Sequence, residues 1–130
     1  GLDLHEVDLL VLTQSHYASE IEIKISLSDL KIDRQKKHGH YSNKIKALYF
    51  AVPEDLKERA LEFIPERAGL FVITSNRKVL LVKAPVTNKN ARKFNLEEIN
   101  KLYELAAMRL WSLKEVNYQL QEQLSKMKND

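Results

Sequence analysis

Residues 18–25 alternate strictly, with Ile21, Ile23 and Ile25 on one side and Glu20, Glu22 and Lys24 on the other. Period-two alternation is the signature of a strand, whose successive side chains point to opposite faces. A row of three charged residues on one face of such a strand needs either solvent or a functional site against it. Residues 4–13 read as a preceding strand, joined to it by a turn at Gln14-Ser15-His16-Tyr17. After the alternating strand, Ser26 or Ser28 can cap a helix running to about Lys37, and Ser26-x-x-Asp29 loosely matches a capping box. Gly39 supports a stop there.

The unbroken apolar run at residues 47–52 predicts a strand buried on both faces. Pro53 ends it and suits the first turn of a helix through Ile64, with Leu56, Ala60, Leu61 and Ile64 on one face. Residues 70–74 and 79–83 predict two strands around the turn Ser75-Asn76-Arg77-Lys78, followed by a polar loop carrying Lys89, Arg92 and Lys93. From Leu96 a helix without Pro or Gly runs close to the C-terminus. From Leu110 its apolar positions fall at Leu110, Leu113, Asn117, Leu120, Leu124 and Met127, a heptad spacing with one polar residue at a core position. That pattern predicts either a short coiled coil, with a second copy as partner, or an amphipathic tail packed on its own domain.

The element order gives an α/β fold with a mixed central sheet flanked by helices and a long C-terminal helix. Residues 1–111 are expected to form the core domain and residues 112–130 a helical extension. A chain of 130 residues is long enough for one small core. No apolar run approaches the roughly 20 residues that span a bilayer, which predicts no membrane partner. The N-terminus lacks a secretory layout, and its start close to a strand reads as a chain that an upstream segment precedes. The absence of cysteine excludes disulfides, thiolate catalysis and Cys-based zinc sites, and fits a cytoplasmic protein.

Charge changes this picture through its distribution. The net charge is only +3, but Lys31, Arg34, Lys36, Lys37, Lys44 and Lys46 lie close together with His38 and His40, opposed by Asp33 alone after Lys31. A basic stretch of this kind suits a polyanion such as a nucleic-acid backbone, and Lys36, Lys37, His38, His40 and Lys44 are the candidate phosphate contacts. A solvated helix and loop is the plain alternative.

The chemistry resides in Asp8, on the first strand, and Glu22-Ile23-Lys24 on the second. Two carboxylates and an ammonium on neighbouring strands can hold Mg²⁺ or Mn²⁺, hard cations that take oxygen ligands, with the Ile23 carbonyl as a further donor. A bound metal lowers the pKa of a water and polarises a phosphodiester. Lys24 would orient or deprotonate that water, or stabilise the charge of the transition state. Cross-strand ion pairs on an exposed face produce the same row of residues. His5, His38 and His40 make a poor zinc set, and no glycine-rich phosphate loop or nucleophile elbow is present. Tyr41 is a candidate to stack on bases; Tyr49 and Phe50 read as core, and Trp111 as packing.

Residues 20–30 (EIEIKISLSDL) look like the EIKxSxxDF stretch of the MmcB-like family of bacterial DNA-repair proteins. Residues 48–53 look like that family's LYFAVP strand, and residues 65–72 are similar to its PxxxGLIV element. Residues 83–85 and 105–110 are similar to its later elements, so the likeness spans about residues 5–111. More broadly, the acid on one strand followed by acid-x-Lys on the next and then a helix resembles the PD-(D/E)XK nuclease superfamily. That resemblance implies a restriction-endonuclease-like fold, a Mg²⁺- or Mn²⁺-dependent DNA nuclease, and Asp8, Glu22 and Lys24 as its catalytic triad. Val7 stands where the motif has Pro, and the superfamily's usual N-terminal helix has no counterpart in this sequence. The implied setting is DNA repair or phage and mobile-element biology. The alternatives are a non-catalytic nucleic-acid-binding module on the same fold, with RNA as another ligand, and an interaction protein or homodimer acting through the C-terminal helix.

Overall fold

The computed structural model describes residues 8–34 and 43–128. They form an α/β structure whose elements are β1 (Leu9–Leu12), β2 (Ala18–Ile23), α1 (Leu27–Arg34), β3 (Ile45–Pro53), a 3-10 turn (Glu54–Leu56), α2 (Lys57–Phe63), β4 (Gly69–Ile73), β5 (Val79–Lys83) and α3 (Leu96–Lys128). The strands make one five-stranded sheet in sequence order. β1 runs antiparallel to β2, β2 and β3 are parallel, β3 and β4 are parallel, and β5 returns antiparallel to β4. The two parallel steps follow from their connections. α1 carries the chain from β2 back to β3, and α2 carries it from β3 to β4, as a parallel pair requires.

The two antiparallel steps use the same turn twice. In Thr13–Tyr17 the Thr13 and His16 amides donate to the Tyr17 and Thr13 carbonyls, and the Thr13 hydroxyl donates to the Tyr17 carbonyl. In Thr74–Lys78 the Thr74 and Arg77 amides donate to the Lys78 and Thr74 carbonyls, with the Thr74 hydroxyl on the Lys78 carbonyl. Each turn closes through a non-glycine residue in the left-handed region, His16 (φ 68°) and Arg77 (φ 64°).

β3 is the central strand and is buried along both faces, as its apolar run predicts. Leu48, Phe50 and Val52 pack under the helices with Leu30 of α1, Ala60 and Ile64 of α2, and Leu70 and Val72 of β4. In α2 the partner residue is Phe63, whereas Leu61, expected on the packed face, is exposed. On a period of about 3.6 residues Phe63 falls on the face of Leu56 and Ala60, while Leu61 lies at its edge beyond Ile64. On the other side of the sheet Tyr49 stacks on Phe71 with ring centroids 4.8 Å apart. Gly69 sits where that stack leaves no room: a Cβ there would meet Tyr49 Cδ1 at 2.9 Å and the Lys83 carbonyl oxygen at 3.0 Å.

The chain divides into two compact units, one ending at Phe94 and the other beginning at Asn95. The second unit is α3, 33 residues in one helix. Its start is fixed by a reciprocal cap: the Glu98 amide donates to Asn95 Oδ1 (2.8 Å) and the Asn95 amide to Glu98 Oε1 (3.1 Å). Glu97 and Glu98 in the first turn and Lys126 and Lys128 in the last complement the helix dipole. Along its length Leu113, Leu120, Leu124 and Met127 are exposed. No helix among the described residues is long and apolar enough to cross a membrane.

Candidate functional site

The charged row of β2 is its buried face. Glu20, Glu22 and Lys24 are 0, 3 and 9% exposed, whereas Ile23 and Ile25 are 52 and 74% exposed. This reverses the usual polarity of an amphipathic strand, and α1 accounts for it. Ser26, three residues past the end of β2, caps the helix by accepting the Asp29 amide on its Oγ (3.2 Å), which turns the chain back toward the sheet. The same face of the sheet carries Leu48 and Phe50, the register partners of Glu20 and Glu22, on β3. The carboxylates therefore lie beside the apolar core.

Burying ionised groups is costly unless they are paired and hydrogen-bonded. Lys24 meets that requirement. Its Nζ lies 3.1 Å from Asp33 Oδ1 and 3.7 Å from Glu22 Oε2. Its backbone amide donates to the Ala51 carbonyl at 3.0 Å, so β3 fixes its root. Burial is the largest single influence on the ammonium and works against its charge. The hydrogen bond and charge of Asp33, with the charges of Glu22 and Asp8, together outweigh it and hold the Lys24 pKa above the ordinary lysine range. Lys24 is thus a fixed positive charge at neutral pH.

Asp8 closes the site from β1. The pairs Leu9–Ile21 and Leu10–Glu20 put Asp8 opposite Glu22 at the end of the hairpin. Its Oδ2 accepts the Ile23 amide at 2.9 Å, which anchors the carboxylate beside the Glu22-Ile23-Lys24 triplet. The structure thus brings together Asp8, Glu22 and Lys24, and adds Asp33, which local pattern did not single out. The signal for it was present in the sequence. Asp33 lies three residues beyond Leu30 on the face of α1 that packs inward, and an acid on an apolar helix face calls for a buried cation.

Among the described residues the buried charged side chains are Glu20, Glu22, Asp33, Lys24 and Lys44. Asp8 at the rim adds a fourth carboxylate. The oxygen donors present are those of Asp8 and Glu22 with the Ile23 carbonyl. No cluster of three or more His, Cys, Asp or Glu side chains suited to a metal occurs among the described residues. Two carboxylates fit Mg²⁺, which keeps several waters and is usually held by one or two carboxylates and substrate phosphate. Lys36, Lys37, His38 and His40 lie outside the described residues, as do His5 and Tyr41. Lys44 is buried, while Lys46 reaches the surface partway and stands over the Tyr17 ring.

A model of the family described as DNA repair protein MmcB-like matches residues 5–117. The SPO1766 protein of unknown function from Silicibacter pomeroyi is similar in structure, with a TM-score of 0.61 and 23% identity over 83% of this chain and 70% of that one. At that identity the likeness shows a shared fold alone. No curated protein matches the chain.

Proposed function

This chain belongs to the MmcB-like family of DNA repair proteins, and from that premise we propose that it is a metal-dependent deoxyribonuclease of the restriction-endonuclease-like kind. The observation that carries the reading is the buried Lys24, set between Glu22 and Asp33 and backed by Asp8. A protein stabilised only by apolar packing has no use for such a row, which costs more than hydrophobic residues of the same volume. Perturbed, buried ionisable groups cluster at functional sites.

In this reading Asp8 and Glu22, with the Ile23 carbonyl, hold Mg²⁺ or Mn²⁺. A metal held there would supply an activated water and neutralise charge on a phosphodiester. Lys24, kept charged and oriented by Asp33, offers its ammonium to the negative charge that develops on the transferring phosphate. Asp33 touches Lys24 rather than substrate and is a positioning residue. Metal titration by calorimetry tests the division of labour. Glu22→Ala is expected to lose Mn²⁺ binding, and Lys24→Ala to retain it while losing cleavage. Equal Mn²⁺ binding by wild type and Glu22→Ala would refute the metal assignment.

A second reading, a non-catalytic DNA-binding module, has one observation in its favour: Asp8 is already engaged as acceptor for the Ile23 amide. Its signature is salt-sensitive DNA binding that does not depend on metal. We further propose that the exposed heptad face of α3 pairs with a second copy. Sedimentation of the full chain, monomeric or dimeric, decides that point.

A further inference from the structure

The end of the sheet opposite the carboxylates is built from three segments far apart in sequence: the β1–β2 turn, the start of β3, and the loop from Ala84 to Phe94. Main-chain hydrogen bonds staple them together. The Arg92 amide donates to the Asn43 carbonyl (3.0 Å), the Asn88 amide to the Lys46 carbonyl (2.8 Å), and the Phe94 amide to the His16 carbonyl (2.8 Å). Asn88 Nδ2 also reaches the Ile45 carbonyl, and Asn88 Oδ1 accepts the Asn90 amide, which shapes the loop around Lys89. Buried Phe94 and Ala91 anchor the loop from within. The charged side chains it displays are therefore held on a rigid frame.

What the frame displays is of one sign. Lys46 Nζ lies 4.6 Å from the centre of the Tyr17 ring and Lys93 Nζ 5.6 Å from the same centre. Lys89 and Arg92 are exposed on the same loop. Residues 9–19, 34–53 and 67–96 contain no Asp or Glu at all. Two ammoniums drawn to one ring repel each other, and cation–π attraction at an exposed site is worth only about 0.5–1 kcal/mol. An anion placed between them removes the repulsion.

We infer that Tyr17, Lys46, Lys89, Arg92 and Lys93 form a second contact for the nucleic-acid backbone, separate from the carboxylate site. The inference rests on the DNA-directed reading above and extends it. Lys46 is the extra residue of β3 where the pairing steps from Ala18–Ile45 to Ser19–Ala47, and its ammonium stands over the Tyr17 ring. Seven residues of extended chain separate Tyr17 from Lys24, about 23 Å at roughly 3.3 Å per residue. Phosphate contacts of this type position the strand and carry no sequence information. The ring offers a stacking surface where the strand is single.

The test is DNA binding by the full chain, followed by fluorescence anisotropy across a salt series in EDTA. The variants are Lys89→Ala/Lys93→Ala and, as a control of equal charge loss, Lys126→Ala/Lys128→Ala at the end of α3. The first pair is expected to weaken binding equally for unrelated sequences and to lower the slope of log K against log salt by about one unit per lysine removed. The control is expected to keep the wild-type slope. Binding unchanged by Lys89→Ala/Lys93→Ala, or lowered equally by the control, overturns the second contact and leaves the nuclease reading standing. Absence of DNA binding by the wild type overturns both, and capture of phosphatidylserine vesicles in its place would assign the patch to a membrane surface.

Discussion

Removing Asp33 is the sharpest perturbation of the buried row. Asp33→Ala deletes the carboxylate 3.1 Å from Lys24 Nζ, leaving an ammonium that is 9% exposed with Glu22 at 3.7 Å. Breaking a buried pair from one side costs about 3–5 kcal/mol, because the remaining charge stays desolvated. In a domain of 60–100 residues each kcal/mol moves Tm by about 4–8 °C, so the variant should melt at least about 12 °C below wild type. Such a loss is a large share of the roughly 5–15 kcal/mol of a typical domain, so two further variants protect the test against simple unfolding. Asp33→Asn keeps volume and a hydrogen-bonding group, and should lose about 1–3 kcal/mol. The double replacement Lys24→Met/Asp33→Leu removes both charges of the closest pair and should recover part of the loss while remaining inactive, the buried Glu22 still having lost a cation. Urea denaturation ranks the stabilities of the four proteins. A cost for Asp33→Ala of about 1 kcal/mol or less, the value of an exposed ion pair, would refute the argument that this pair is buried and obligatory.

Three smaller perturbations test the scaffold. Gly69→Ala drives a methyl to 2.9 Å from Tyr49 and 3.0 Å from the Lys83 carbonyl, and should cost about 1–3 kcal/mol in the urea midpoint. Arg77→Gly relieves a left-handed residue and should stabilise by about 0.5–1 kcal/mol, after allowing for the greater freedom of unfolded glycine; a loss of stability would contradict the turn geometry. Asn95→Ala removes the α3 cap and should cost that helix about 1 kcal/mol, read as faster hydrogen exchange in its first turn.

The elements were legible because their signals are local. The period of two in residues 18–25, the apolar run before Pro53, and the turns at His16 and Arg77 each specify their own conformation, and β5 and the start of α3 fall where the pattern puts them. The direction in which β2 faces was not local. Period alone separates Glu22 from Ile23 but does not say which side α1 will cover, and ordinary hydrophobic partition gives the opposite answer from the one observed. Asp8, Glu22 and Lys24 could be named from spacing. Asp33 required knowing that α1 returns over β2, and the meeting of Lys46 and Lys93 on Tyr17 required a fold that joins residues 47 positions apart. The reciprocal cap at Asn95 and Glu98 was readable in principle as Asn-x-x-Glu before a helical pattern.

The most direct test of the central claim is cleavage of labelled single-stranded, duplex and forked DNA by the full chain in Mg²⁺ and in Mn²⁺, beside Glu22→Ala and Lys24→Ala. The account predicts metal-dependent cleavage by the wild type that disappears in both variants while their DNA binding persists. Cleavage surviving in Glu22→Ala, or a wild type that binds DNA and never cuts it, would contradict it.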